Sequence, residues 1–581
     1  MTTCRVWAPA ASEVEIKIGD ERLGLIRCDQ GWWCVCLKDI TPGTDYSFVL
    51  NREETLPDPL SPWQPYGVHG ASRTLDHSDF RWTDERWQAP PLSSAVIYEL
   101  HVGTFTISGT FDAVIPRLDY LVELGITHVE LMPVSEFSGN VGWGYDGVDL
   151  YAPHHGYGGP AGLKRLVDAC HARGLAVLGD VVYNHFGPVG NYLHRFGPYL
   201  TDRYRTPWGD AVNLDGPGSD EVRRYFCDHA ISWLRDYHFD GLRIDAVHAL
   251  TDTSAVHFLE QLATEVEKLG SGMGRHLVVI AESDLNDPRL VRSREAGGYG
   301  IDAQWSDDFQ HSIHACLTGD RSGYYADFGS VADIAKALKE VFVYDGRYSA
   351  YRRRRHGRPA TGLGGHRFVA FIQNHDQIGN RIRGDRSCHL MSRELLKTAA
   401  ALLFCSPFIP MLFQGEEWAA SSPFAYFTDH QDAQVAEATR EGRKKEFAAL
   451  GGNIDEVPDP EAPETFQQSR LDWSEANREP HTSILDWHRR LIRLRREQPD
   501  ILDGNLDNTE VVFDERAKWL RLDRGRIVVA TNLAEVPQAI PVPDASGRHA
   551  ILASESGFRL GSQAVEVPAH SVAVLSGPDT I

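Results

Sequence analysis

The sequence predicts a (β/α)8 barrel, with a β-sandwich before it and a small β-domain after it. Three observations carry that reading. From about residue 95, apolar runs of strand length alternate with helical stripes through eight units in roughly 400 residues. Both ends of the chain instead carry short runs punctuated by turn residues. Charged and amide residues recur where the eight strands would finish, the face on which a parallel barrel places its chemistry. An open doubly wound sheet is the other arrangement that such an alternation allows.

Residues 1–90 read as all-β. Runs at 5–10, 14–18, 32–37 and 46–50 partly alternate and are split by turn residues, as in a small sandwich. A proline-rich stretch at 56–62 and the linker Ala89-Pro90-Pro91-Leu92 lead into a catalytic unit expected over 91–505. Its strands are expected at 96–105, 127–133, 176–182, 241–247, 276–281, 303–309, 367–372 and 410–414. Helical stripes lie among them at 115–124, 162–173, 220–237, 254–269, 331–341 and 394–404. Residues 430–470 are polar and charged and read as an inserted subdomain. Over 506–581 short strands return, at 511–513, 519–522, 527–530 and 565–574.

With 581 residues the chain is too long for one ordinary domain. A net charge of −23 argues against nucleic acid and anionic membrane surfaces and suits a soluble enzyme with a neutral substrate. Nine scattered cysteines, no basic-then-apolar leader and no stretch of membrane-span length point to a reduced, cytoplasmic protein. Cys34 and Cys36 have no second Cys/His pair nearby, so no zinc site is expected. Fourteen Trp and twenty Tyr offer flat faces to sugar rings as well as to the core.

The fourth strand, GLRIDAVH at 241–248, ends in an ion pair. Arg243 and Asp245 share a face because strand side chains alternate. The guanidinium keeps the carboxylate ionised, as a glycosyl-transfer nucleophile requires. The third strand ends DVVYNH (180–185), the fifth IAESD (280–284), the seventh QNHDQ (373–377) and the eighth QGEEW (414–418). Glu282 follows an apolar run, a setting that raises a carboxyl's pKa and lets it carry a proton. His185, His375 and Asp376 can hydrogen-bond the hydroxyls of a distorted sugar, Asp376 most strongly as the ring becomes oxocarbenium-like.

Together, DVVYNH, GLRID, Glu282 after its apolar strand and NHD (374–376) resemble, in order and spacing, the signature regions of the α-amylase superfamily of glycoside hydrolases. The resemblance covers about residues 95–420. It implies the (β/α)8 barrel, with Asp245 as nucleophile, Glu282 as general acid/base and Asp376 as transition-state stabiliser. It further implies His185, Arg243, His375 and, from GYDGVD at 144–149, a stacking Tyr145 as subsite residues. The VWAP module (6–9) resembles the β-sandwich that precedes the barrel in branching, debranching and trehalose-releasing members, and finer likeness to the trehalose-releasing branch comes through QWSDDF (304–309), FIQNHDQIGNR (371–381), GEEWAAS (415–421) and EGR (441–443). That branch hydrolyses the α-1,4 bond next to the terminal trehalosyl unit of maltooligosyltrehalose. It needs no organic cofactor and acts after a synthase that isomerises the reducing-end linkage.

Reading the 1,1-linked end would fall to His248, Asp308, Gln377, Asn380 and Arg381 around the mouth. The superfamily's calcium arrangement uses an Asn matching Asn184 and a carbonyl from a His that follows the nucleophile motif. Here His248-Ala249 stands in place of Lys-His, so no structural metal is expected. An α-1,4-glucan branching enzyme and a maltooligosaccharide-cleaving amylase share the triad and are the alternatives. Gln377 stands where branching enzymes usually carry Glu. A silent glycan-binding relative would be expected to lose one of Asp245, Glu282 and Asp376, and all three are present.

Overall fold

The computed structural model describes residues 2–37, 40–449 and 453–577. Eight parallel strands close into a barrel rather than an open sheet. They are β1 Ile97–Leu100, β2 His128–Leu131, β3 Ala176–Val181, β4 Gly241–Ile244, β5 Val278–Ala281, β6 Ala303–Trp305, β7 Phe368–Ala370 and β8 Ile409–Phe413. Each pairs with the next, and β8 returns to β1. Alternation sends every second side chain inward. Ile97, Leu178, Ile280, Trp305, Phe371 and Met411 belong to one buried cluster inside the barrel. Val129, Leu131, Leu242 and Ile244 belong to the larger core against the helices.

The covering helices are amphipathic. Ser219–Asp236 buries Val222, Phe226, Ala230 and Trp233 at three- and four-residue spacing. It starts with Asp220 and Glu221, where the helix dipole favours negative charge. β4 approaches β5 closely at Gly241, where a Cβ would stand 2.5 Å from the Val278 carbonyl oxygen.

Several strands are shorter than the apolar runs that announce them. β1 stops at Leu100 because His101 begins a helical turn, Val102–Phe105, and its ring bonds Thr104 at 3.0 Å. β4 stops at Ile244, since Ala246 takes a left-handed conformation (φ 40°) ahead of the single turn Val247–Ala249. β6 stops at Trp305 because Asp307 and Asp308 open the helix Asp307–Thr318, an end that favours acids. The run at 565–574 is two strands, Ala564–Val567 and Ser571–Ser576, split by a left-handed His570 and placed in different sheets.

Ahead of the barrel, Thr2–Trp7, Trp32–Leu37 and Ile26–Arg27 form one sheet, and Val14–Ile18 pairs with Glu21–Gly24 and Asp45–Leu50 in another. The Trp32 indole donates to Glu221 at 3.0 Å, tying the first sheet to a barrel helix. Behind the barrel lie a five-stranded and a three-stranded antiparallel sheet. Arg495, buried on the helix His481–Glu497, donates to the carbonyls of Phe404 and Ser406, each at 2.9 Å, and of Phe408 at 2.5 Å. The expected insertion holds the helices Ala433–Ala449 and Pro463–Gln468, while its residues 450–452 lie outside the described ones. Arg443 fastens the first of these to the loop after β7, donating to the Gly379 carbonyl at 2.7 Å. Among the described residues no helix is long and apolar enough to cross a membrane.

Candidate active site

The ends of β3, β4 and β5 and the loops after β2 and β7 converge on Arg243. This side chain is fully buried in β4. Its Nη1 donates to Asp180 at 2.8 and 2.9 Å and to Asp245 Oδ1 at 2.8 Å, and its Nη2 lies 3.6 Å from Glu282 Oε2. The guanidinium sits over the Trp305 ring, 4.2 Å from its centre. The other oxygen of Asp245 receives Asn184 Nδ2 at 2.7 Å. Two donors therefore hold the Asp245 carboxyl in one orientation.

Glu282 follows β5 and accepts the Ala246 N–H. The left-handed backbone at Ala246, unusual for a residue with a side chain, is what presents that N–H. Burial, with the Asp245, Asp307 and Asp376 carboxyls nearby, holds the Glu282 carboxyl well above the usual range against the opposing pull of Arg243. Asp376 lies in the first turn of the helix His375–Gly379, which Asn374 caps by accepting the Asp376 N–H at 2.9 Å. Its side chain is 44% exposed, against 11% for Asp245 and 14% for Glu282, so it is the carboxyl most open to an arriving ring.

His375 bonds Glu99 of β1 through Nδ1 and stacks on Tyr145 with ring centres 5.1 Å apart. Burial works against its imidazolium, but Glu99 and Asp376 outweigh it and hold the pKa up at about 9. The Tyr145 hydroxyl donates to Asp180 at 2.6 Å. Gly144 before it has φ 97°, and a Cβ there would meet the Pro133 carbonyl oxygen at 2.0 Å, so the loop that aims Tyr145 requires glycine. His185 bonds Asn184 and stacks on Trp208, ring centres 4.6 Å apart and planes within 4°.

The other expected residues divide. His248 is exposed on the turn after β4. Asn380 Nδ2 donates to Asp376 Oδ1 at 3.4 Å. Arg381 is directed to the Tyr325 hydroxyl at 3.1 Å and to the His314 ring at 3.3 Å. Asp308, expected at the mouth, is turned largely to the protein. It is 3% exposed, and its Oδ2 receives Asn286 Nδ2 at 2.8 Å and the Val343 and Tyr344 N–H groups at 2.7 and 2.8 Å. That carboxylate fastens two loops. Gln377 is likewise engaged at the helix start, where its Oε1 receives the Asn374 N–H at 3.2 Å. After β8, Glu417 accepts from Tyr98 and Tyr120 at 3.0 Å each, inside the core.

Glu99 stands in no quoted motif, and Asp180 and Asp307 stand in quoted motifs without an assigned role. Glu99 and Asp180 are polar residues within otherwise buried strands, a signal that the alternation carries. Asp307 stands beside Asp308, and periodicity does not say which of the pair faces the mouth. Burial, then Asp284, Asp308 and Asp376, push the Asp307 carboxyl up to about 8. Among the described residues, Glu136, His154 and His155 bring ligand-type atoms within 4.8 Å of one another. Both His154 nitrogens already have loop partners, Gly156 N–H and Gly139 carbonyl at 3.1 Å each, and His155 Nδ1 is bonded to Glu136 at 2.7 Å. This donor set is occupied in holding its loop.

Comparison with known proteins agrees with this geometry. The alpha amylase catalytic-domain family matches residues 78–205, and a domain of unknown function, DUF3459, matches residues 504–574. A Malto-oligosyltrehalose trehalohydrolase of Rhizobium sp. (strain M-11) is 48% identical over 98% of this chain and 97% of its own length. That of Arthrobacter ramosus is 50% identical over 92% of this chain and 93% of its own. A crystal structure from Salmonella typhimurium described as an alpha amylase superposes with a TM-score of 0.91 at 37% identity, covering 99% of this chain and 97% of that one.

Proposed function

The chain belongs to the family of malto-oligosyltrehalose trehalohydrolases, and on that premise we propose that it cleaves the α-1,4-glucosidic bond next to the terminal trehalosyl unit of maltooligosyltrehalose. The products are trehalose and a shortened maltooligosaccharide. The observation that supports this best is one buried guanidinium, Arg243, contacting both Asp245 and Glu282. A retaining mechanism needs a carboxylate and a carboxylic acid about 5–5.5 Å apart, and a shared cation beside both supports that reading.

In this reading Asp245, fixed by Arg243 and Asn184, attacks C1 of the glucosyl unit. Glu282, protonated by virtue of its buried setting, gives its proton to the departing trehalose oxygen. Glu282 then takes a proton from water as that water releases the glycosyl group from Asp245, so the anomeric configuration is retained. Asp376 and the charged His375 bind the ring as positive charge spreads over it, and Tyr145 supplies a stacking face. Asn380, Arg381 and His248 are our candidates for reading the 1,1-linked end. Gln377 and Asp308 act one step back, through the helix start and the loops that they hold.

The substrate must be supplied by an enzyme that isomerises a reducing-end linkage to the 1,1 form, such as a maltooligosyltrehalose synthase. We place the protein in the cytoplasm, in keeping with Cys170, Cys227 and Cys405 buried as free thiols. We divide the chain into a sandwich over 1–90, a catalytic unit over 91–505 and a terminal β-unit over 506–581.

The test is product analysis on maltohexaose and on its trehalose-capped counterpart at equal concentration. Free trehalose from the capped chain, with slow attack on the uncapped one, is expected. Equal cleavage of both, or new α-1,6 branches on a long glucan, would overturn the proposed specificity in favour of an amylase or a branching enzyme.

A further inference from the structure

Four neighbouring strands line one side of the barrel interior with ionisable residues: Glu99 on β1, Glu130 on β2, Asp180 on β3 and Arg243 on β4. Glu99 holds His375, and Asp180 holds Arg243. Glu130 holds nothing. It is 1% exposed, and neither of its carboxyl oxygens has a hydrogen-bond partner among the described residues. Its neighbours Val129 and Leu131 belong to the core against the helices, so its own side chain points into the barrel. There it stands in register with Glu99 across the β1–β2 ladder. The mechanism above gives it no task.

A carboxylate at this place would be unsolvated, unpaired and flanked by two others. An isolated buried anion is far costlier than a neutral acid, and two carboxyls side by side do not both ionise. Every charged group facing Glu130 bears on the outcome: burial, Glu99 and Asp180 favour the neutral form, while Arg243 and His375 oppose it and are outweighed. Glu99 is the member of the pair with a cationic partner, so the proton belongs to Glu130.

We propose that Glu130 is a positioning residue that acts as a neutral carboxylic acid. By keeping its proton it leaves Glu99 as the anion facing His375 and Asp180 as the anion facing Arg243. Both cations then stay directed at the mouth, His375 beside Asp376 and Arg243 beside Asp245. An ionised Glu130 would draw the two cations inward, away from those partners. The positioning role rests on the assignment of Asp245 and Asp376 as reacting groups, whereas the protonation does not.

The test is infrared difference spectroscopy of the wild-type protein against Glu130→Gln at neutral pH, with kinetics of both. The wild type is expected to show the carbonyl stretch of a protonated carboxylic acid that the variant lacks. Nitrogen NMR should find His375 as an imidazolium in both proteins. Glu130→Gln, neutral and of the same shape, should keep kcat within about twofold, whereas Glu130→Ala, which removes the neutral group between Glu99 and Asp180, should lower kcat by more than about tenfold, and a folded Glu130→Ala with unchanged kcat overturns the positioning role. Glu130→Asp is the second variant, should Gln fold poorly, and it should displace the band rather than abolish it. Absence of any carboxylic-acid band in either difference spectrum overturns the protonation. A folded Glu130→Gln that loses more than about tenfold in kcat overturns the positioning role, because a neutral isostere would then have failed to replace a neutral acid. A wild-type enzyme that shows the band but releases no trehalose defeats only the functional reading.

Discussion

His375 and Glu282 set the pH response at the scale of single residues. Glu282 works as an acid only while it keeps its proton, so kcat/KM falls as pH rises through its elevated pKa. His375 has a pKa of about 9 in the folded protein, raised from its ordinary value by Glu99 and Asp376 against burial. Its pairing with Glu99 thus contributes stability that is full below about 6.5, the unfolded value, and is lost as pH climbs through about 9. Thermal melts of wild type and Glu99→Gln should differ most at about pH 6 and converge in alkali, and a difference independent of pH would show that His375 carries no charge. Gly144 makes a second residue-scale prediction. Gly144→Ala must push the loop off the Pro133 carbonyl and carry Tyr145 with it. A displacement of that kind costs on the order of 10²-fold in kcat/KM, which steady-state kinetics would register. Asp245, Glu282 and Asp376, to which we assign the chemistry, could be picked out in the sequence because each follows a strand. Asp308 marks the limit of that rule: a strand-end position does not announce that a carboxyl oxygen accepts three donors from neighbouring loops.

At the scale of elements, the barrel order was legible because each parallel strand is buried on both faces and reads as an apolar run. The strand ends were not, since apolarity continues into whatever follows. Val102 and Phe105 after β1 stay apolar through a helical turn, while β6 passes through Ser306 into a helix opened by Asp307 and Asp308. What terminates β4 is a left-handed Ala246, a conformation that no residue type announces when it is not glycine. The same strand yields a prediction. Gly241→Ala places a methyl against the Val278 backbone and must part β4 from β5. Overpacking of this kind costs about 1–3 kcal/mol, readable as a lowered urea midpoint. Since Asp245 and Glu282 follow these two strands, activity should fall with it. An unchanged midpoint would mean that the ladder is slack at this point.

For the molecule as a whole, the last helix of the catalytic unit, His481–Glu497, is tied to the segment that leads into β8 by buried polar contacts that no hydrophobic pattern reveals. Arg495 satisfies three carbonyls at the end of the helix before β8 and in the loop that follows it. Arg495→Met leaves those carbonyls without their donor, at about 1–3 kcal/mol for each group stranded. The expected result is a lower Tm with kcat intact well below it, and loss of both together would place the residue in the active site's support instead. The closure of the barrel bears on synthesis as well. β8 pairs with β1 through Met411 and Ile97, Leu412 and Tyr98, and Phe413 and Glu99. A chain emerging from the ribosome therefore completes seven strands, with Asp245, Glu282 and Asp376, before anything can seal them. Until β8 follows, β1 and β7 are open edges, ready templates for pairing with another chain. Glu99, which secures His375, lies on one of those edges, so a nascent chain halted before residue 409 would contain every catalytic side chain and still lack the site.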